Sequence, residues 1–150
     1  FRGSSYLLEK SSKFFEPLIT LIASIDPRLW QIDVPDYNNP QDRKLLLDCK
    51  KKIRQALPTE RNRTDTQITK IMLGVFGNVP AFEEKKKKGL GVNGFTEAAL
   101  LRIFEFYKNN QPIIDSIEVR TIDFLTGTET DRLYTKAKLI DMIGFIEGQE

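Results

Sequence analysis

Residues 89–94 read GLGVNG, a letter-for-letter match to the glycine fingerprint G-x-G-x-x-G, and Lys85, Lys86, Lys87 and Lys88 stand directly before them. Where such a turn follows a parallel strand, its backbone N–H groups and the helix behind it hold the pyrophosphate of a dinucleotide. Glu83-Glu84 and four adjacent lysines do not make a buried central strand. Asp115, near the spacing of a ribose-binding acid, lies beyond a helical stretch and Pro112 rather than at the end of a second strand. The match to a dinucleotide fold is a coincidence of spacing. What survives is a glycine-rich entry into a helix N-terminus with cations beside it, a place for a phosphate or another anion.

Tyr134 and Lys138 show the Y-x-x-x-K spacing that short-chain dehydrogenases use for proton transfer, but the doubly wound sheet those enzymes need is absent from the pattern. The chain contains no histidine, which removes Ser-His and Cys-His nucleophiles, imidazole bases and histidine metal sites. Its single cysteine, Cys49, permits no internal disulfide and falls on an apolar helical stripe, where an inert buried thiol is expected. Carboxylates remain as magnesium ligands, with Asp115, Glu118 and Asp141 the candidates. All-helical pyrophosphatases that cleave nucleotides use repeated acidic pairs, E-x-x-E then E-x-x-D. Here only Asp115/Glu118 and Glu147/Glu150 have comparable spacing. No cofactor or resident metal is expected, and a magnesium-dependent enzyme acting on a phosphorylated small molecule or nucleotide is the alternative function.

The net charge of +2 conceals an uneven distribution. Between Asp42 and Lys88 stand 13 basic against 6 acidic residues, whereas the remainder holds 10 against 15. Lys51, Arg54, Arg61 and Arg63, with Lys85, Lys86, Lys87 and Lys88, are the candidate anion- or partner-binding residues. An acidic protein, a nucleic acid or a phosphate-bearing ligand would suit them. No helix-turn-helix spacing is evident, and Phe76 and Phe82 are committed to packing rather than to base stacking. An assembly role, as in a homodimer, would leave these lysines only to maintain solubility.

The elements that must position these residues are mainly helical. Apolar residues at 7, 8, 14, 15, 18, 19, 22 and 25 have helical spacing, with a kink or two abutting helices expected at Pro17. One short helical turn is expected at LWQI and a loop over DVPDYNNPQD. Asn39-Pro40 opens a helix whose buried stripe is Leu46, Cys49, Ile53 and Leu57. Thr64 and Gln67 form a capping box before ITKIMLGVF, and GVFGNVPAF reads as a tight corner. Pro80 is expected to restart a short helix over AFEEKKKK, and Thr96 to cap EAALLRIFEFYKNN. Ile113, Ile114 and Ile117 suit a helix, the segment 119–134 suits a hairpin turning at Gly127, and YTKAKLIDMIGFIEG closes the chain as a helix.

The expected fold is all-α, a single helical domain over residues 1–150 of six to seven helices, with at most one small hairpin near 119–134. No apolar run approaches the roughly 20 residues of a membrane span. The chain starts on Phe1, as a trimmed segment would, and its opening lacks the layout of a secretory leader. A cytoplasmic protein is the expectation, acting by binding rather than by residue-based catalysis.

Overall fold

The computed structural model describes residues 10–58 and 64–147, with the backbone alone for residues 85, 86 and 145–147. Among the described residues are seven α-helices: α1 (Glu16–Ser24), α2 (Pro40–Ala56), α3 (Asp65–Val75), α4 (Glu84–Leu90), α5 (Glu97–Asn109), α6 (Gln111–Ser116) and α7 (Lys136–Glu147). Two short strands, β1 (Arg120–Ile122) and β2 (Glu129–Leu133), pair antiparallel between α6 and α7. The fold is mainly α with one small hairpin, as the periodicity predicts. No described helix is long and apolar enough to cross a membrane.

Local signals decide most helix ends. Asn39 Oδ1 accepts from the Gln41 N–H at 2.9 Å, with Pro40 in the first turn where its missing donor is not needed. Thr64 and Gln67 exchange side-chain and backbone hydrogen bonds and start α3. The start of α7 is capped from a distance: Asp33 accepts from the Lys136 and Ala137 N–H groups at 2.7 and 2.9 Å. Burial raises the Asp33 carboxyl above its ordinary value, and these backbone donors oppose that rise.

α2 runs through the centre and packs on α1, α3 and α5. Its expected stripe of Leu46, Cys49, Ile53 and Leu57 is buried, and it meets Ile68 and Met72 of α3 and Leu100 and Ile103 of α5 in one apolar cluster. Burial pushes the Cys49 thiol up to about 12, against a smaller opposing effect of Lys52, so it remains a neutral, inert group at neutral pH.

At Pro17 the second of the two expected outcomes, a pair of abutting helices, is observed: a 3-10 turn over Ser12–Phe15 leads directly into α1, and Pro17 occupies its first turn. The apolar residues 7 and 8 of that pattern lie outside the described residues. Two other local expectations are corrected. The expected loop DVPDYNNPQD contains a 3-10 helix, Val34–Asn38, closed by a capping box between Asp33 and Asp36. Its Val34 and Tyr37 are fully buried, and the Tyr37 hydroxyl donates to the Asn78 carbonyl at 2.5 Å. Residues 79–82 are buried but not helical, and the helix after them begins only at Glu84 and continues through Gly89 to Leu90. The lysines therefore stand on a helix, with the glycine turn at its C-terminal end.

Candidate functional site

Two of the glycines in GLGVNG have separate structural causes. Gly91 ends α4 in the left-handed conformation, φ +65°, where the Val92 N–H reaches the Lys87 carbonyl at 2.9 Å. Gly94 makes room for a carboxylate: a Cβ there would stand 2.7 Å from Asp65 Oδ2. That oxygen accepts from the Phe95 N–H at 2.8 Å, one residue before the Thr96 cap of α5. The anion beside this turn is supplied by the protein itself.

Asp65 also gathers part of the basic middle. Lys50 Nζ lies 3.0 Å from the carboxylate and donates to the Phe95 carbonyl at 2.7 Å, while Arg54 Nη2 reaches Asp65 Oδ1 at 2.6 Å. Burial of Asp65 favours the protonated form, but the Phe95 N–H, Lys50 and Arg54 together outweigh it and hold the carboxyl below its ordinary value. One carboxylate thus ties α2, the start of α3 and the entry to α5.

Other cations from the basic region are tied to nearby acids or to the backbone. Buried Arg43 donates to Glu97 at 3.0 Å and to the Tyr37 and Asn38 carbonyls at 2.8 and 3.0 Å. Lys70 pairs with Glu83 at 2.7 Å, Lys51 with Asp48 at 3.5 Å, and Lys87 with Glu84 one turn earlier. Of the residues expected to bind a partner, Arg54 and Lys87 are joined to internal carboxylates, and Lys51 keeps an exposed head beside Asp48. Lys88 is exposed at the end of α4. Arg61 and Arg63, and the side chains of Lys85 and Lys86, lie outside the described residues. Lys44, Lys51 and Lys52 of α2 are exposed.

The candidate metal-binding acids are dispersed. α6 ends at Ser116, so Asp115 and Glu118 do not share a helix face. Asp115 binds the Tyr107 hydroxyl at 3.0 Å and Lys136 Nζ at 3.2 Å, whereas Asp141 accepts from the Ala81 N–H at 2.9 Å. Among the described residues no cluster of three or more acids or cysteines is placed to hold a metal. Tyr134 and Lys138 do meet, as a cation stacked on a ring, 4.7 Å from its centre.

The hairpin between α6 and α7 has the opposite character. Its base is fixed by the Tyr134 N–H on the Val119 carbonyl at 2.8 Å, and both side chains pack against the apolar core. Its tip is held by Asp123, whose Oδ1 accepts from the Leu125 and Thr126 N–H groups at 2.9 and 2.8 Å and from the Thr126 hydroxyl at 3.0 Å. Those donors hold the Asp123 carboxyl below its ordinary value. Asp123 N–H donates to Thr128 at 2.8 Å, Gly127 N–H returns to Asp123 at 2.9 Å, and Gly127 takes φ +68°. This closed turn presents Phe124 at 99% exposure and Leu125 at 90%, with Ile122 on the adjoining strand at 62%. The hairpin itself is legible from Gly127, but no local signal says that these apolar side chains face solvent.

No protein-family model matches the chain, and no curated protein or solved structure matches it either.

Proposed function

We propose that this protein is a binding module that engages a protein partner through the 119–134 hairpin, without residue-based catalysis. The observation that carries the proposal is the tip: two large apolar side chains face water from a turn closed by its own hydrogen bonds. Exposed apolar residues scattered singly are ordinary on a protein surface. Adjacent ones on a projecting, ordered loop are the arrangement of a docking element. Burying Phe124 and Leu125 in an apolar site is worth about 1.5–3 kcal/mol each, and the preformed turn reduces the ordering cost of association.

Site-specific photo-crosslinking in the native host tests the proposal. A photoreactive residue at Leu125 is expected to give a discrete protein adduct, while the same group at Glu105, exposed on α5, gives none. Absence of a discrete adduct from Leu125 would overturn the proposal.

A second proposal, an acidic or phosphate-bearing partner at the basic region, is favoured by one observation: Lys44, Lys51 and Lys52 remain exposed along α2. A salt-sensitive thermal shift with polyphosphate or a short oligonucleotide, lost in K51Q/K52Q, is its expected signature. No shift would remove it.

A further inference from the structure

We infer that the hairpin tip inserts into a preformed apolar cleft, rimmed by basic side chains, on a different protein. The inference rests on the docking proposal above and adds the chemistry of the partner.

Charge sets the sign of the rim. From Ile122 to Glu129 the hairpin carries two carboxylates, Asp123 and Glu129, and no cation. Glu129 stands opposite Ile122 in the strand register, beside the apolar tip. Farther down, Arg120 lies 3.7 Å from Asp131 and is matched by it, and Arg132 is exposed on β2, so residues 119–134 hold three carboxylates against two cations. An apolar element whose tip carries carboxylates and no cation is disfavoured at anionic lipid, where inserting segments carry Lys and Arg beside their apolar residues. It is disfavoured equally at nucleic acid.

The same charges argue against a second copy. A two-fold contact of tip on tip would set Asp123 and Glu129 against their own equivalents. A contact of the tip with the basic outer surface of α2 would meet exposed Lys44, Lys51 and Lys52 rather than an apolar seat, and it would be a head-to-tail contact, which closes only for special rotations.

Area sets the shape of the seat. Two side chains offer a few hundred Å² at most, on the order of 150–250 Å² for the aromatic one, against about 800 Å² per partner in a stable flat interface. A wedge this narrow is desolvated fully only inside a concavity, where anchoring side chains concentrate binding energy. The Asp123 turn and the Gly127 conformation hold the wedge in shape before contact.

The test begins with the partner cross-linked from Leu125, purified and titrated against the intact chain. The cross-linked peptide is expected to lie among apolar residues flanked by Lys or Arg. F124S/L125S, whose unchanged melting temperature reports an intact fold, is expected to weaken binding at least about 30-fold. D123N/E129Q is expected to slow association and to flatten its salt dependence. Vesicles of phosphatidylcholine, with and without phosphatidylserine, and a concentration series of the chain alone are the other arms. Vesicle binding, self-association lost in F124S/L125S, or a cross-linked peptide on a flat acidic surface would each overturn the inference. The docking proposal fails separately, if no adduct forms from Leu125 at all.

Discussion

The basic middle and the hairpin make opposite use of their side chains. Between Asp42 and Lys88 the sequence concentrates cations, and the fold ties many of them to carboxylates or backbone oxygens: Lys50 and Arg54 to Asp65, Arg43 to Glu97, Lys70 to Glu83. Between Ile122 and Glu129 the sequence carries two carboxylates and no cation, and the fold leaves Phe124 and Leu125 almost wholly in water. A residue type describes what a side chain is able to do. Which groups already satisfy it decides whether that capacity is available to a partner.

The largest effect expected within this contrast is at Asp65. Asp65→Ala leaves Lys50 without its carboxylate and the Phe95 N–H without its acceptor, both largely shielded from water. Removing one member of a buried pair costs about 3–5 kcal/mol, and the partial exposure of Arg54 places this site near the lower end. At 150 residues about 3 kcal/mol is a fall of roughly 6–12 °C in melting temperature. A fall under about 2 °C would show that the basic middle is not held by this carboxylate.

Gly94→Ala probes the same contact from the other side. Its Cβ would meet Asp65 Oδ2 at 2.7 Å, and the carboxylate has no slack because it is already bonded to Lys50, Arg54 and the Phe95 N–H. A loss of about 1–3 kcal/mol is expected, as for overpacking. In the Asp65→Ala background the same substitution should cost far less, so a double-mutant cycle yields a coupling of about 1 kcal/mol or more. Additive losses would assign Gly94 to some other cause.

Acid titration sharpens the comparison by a smaller amount. Because the folded Asp65 carboxyl is held below its unfolded value, its contribution is complete above the unfolded value near 3.9. It is lost as pH falls through the folded value. Asp33 has the opposite sign: its carboxyl is raised, so its contribution is present at low pH and declines as pH rises through the folded value. The difference in unfolding free energy between the native chain and Asp65→Asn should therefore be flat from about pH 7 to 5 and shrink below about pH 4. A difference that stays constant down to about pH 2 would contradict the shift at Asp65.

The sequence discloses the contrast only in part, for reasons of range. Capping at Asn39 and Thr64, the α2 stripe and the turn at Gly127 depend on neighbours within a few residues, and each is visible in the string. The 3-10 helix at Val34–Asn38 reads as a loop because the two prolines and two asparagines of DVPDYNNPQD obscure Tyr37, whose hydroxyl partner, Asn78, lies 41 residues away. The cap of α7 by Asp33 spans 103 residues, and the bond that seats Asp65 beside Gly94 spans 30. The lysines before GLGVNG suggest an anion site because glycine and lysine are read together. Nothing within that stretch shows that the helix continues through Gly89, or that Asp65 occupies the Phe95 N–H.

The smallest expected effect is the one that separates the two regions most sharply. F124S/L125S removes two large apolar side chains that make almost no contact with the rest of the fold, so stability should change by less than about 0.5 kcal/mol. The melting temperature should move by no more than about 2 °C in either direction. Gly127→Val, in contrast, forces a β-branched residue into a left-handed conformation and is expected to loosen the turn at a cost of about 1–3 kcal/mol local to the hairpin. Hydrogen exchange at the Leu125, Thr126 and Gly127 amides reads that difference directly. Protection should persist in F124S/L125S, because the Asp123 bonds are to backbone and threonine, and should be lost in Gly127→Val. If F124S/L125S instead lost protection throughout the hairpin, the two side chains would be structural, and their exposure would no longer set the hairpin apart from the basic middle.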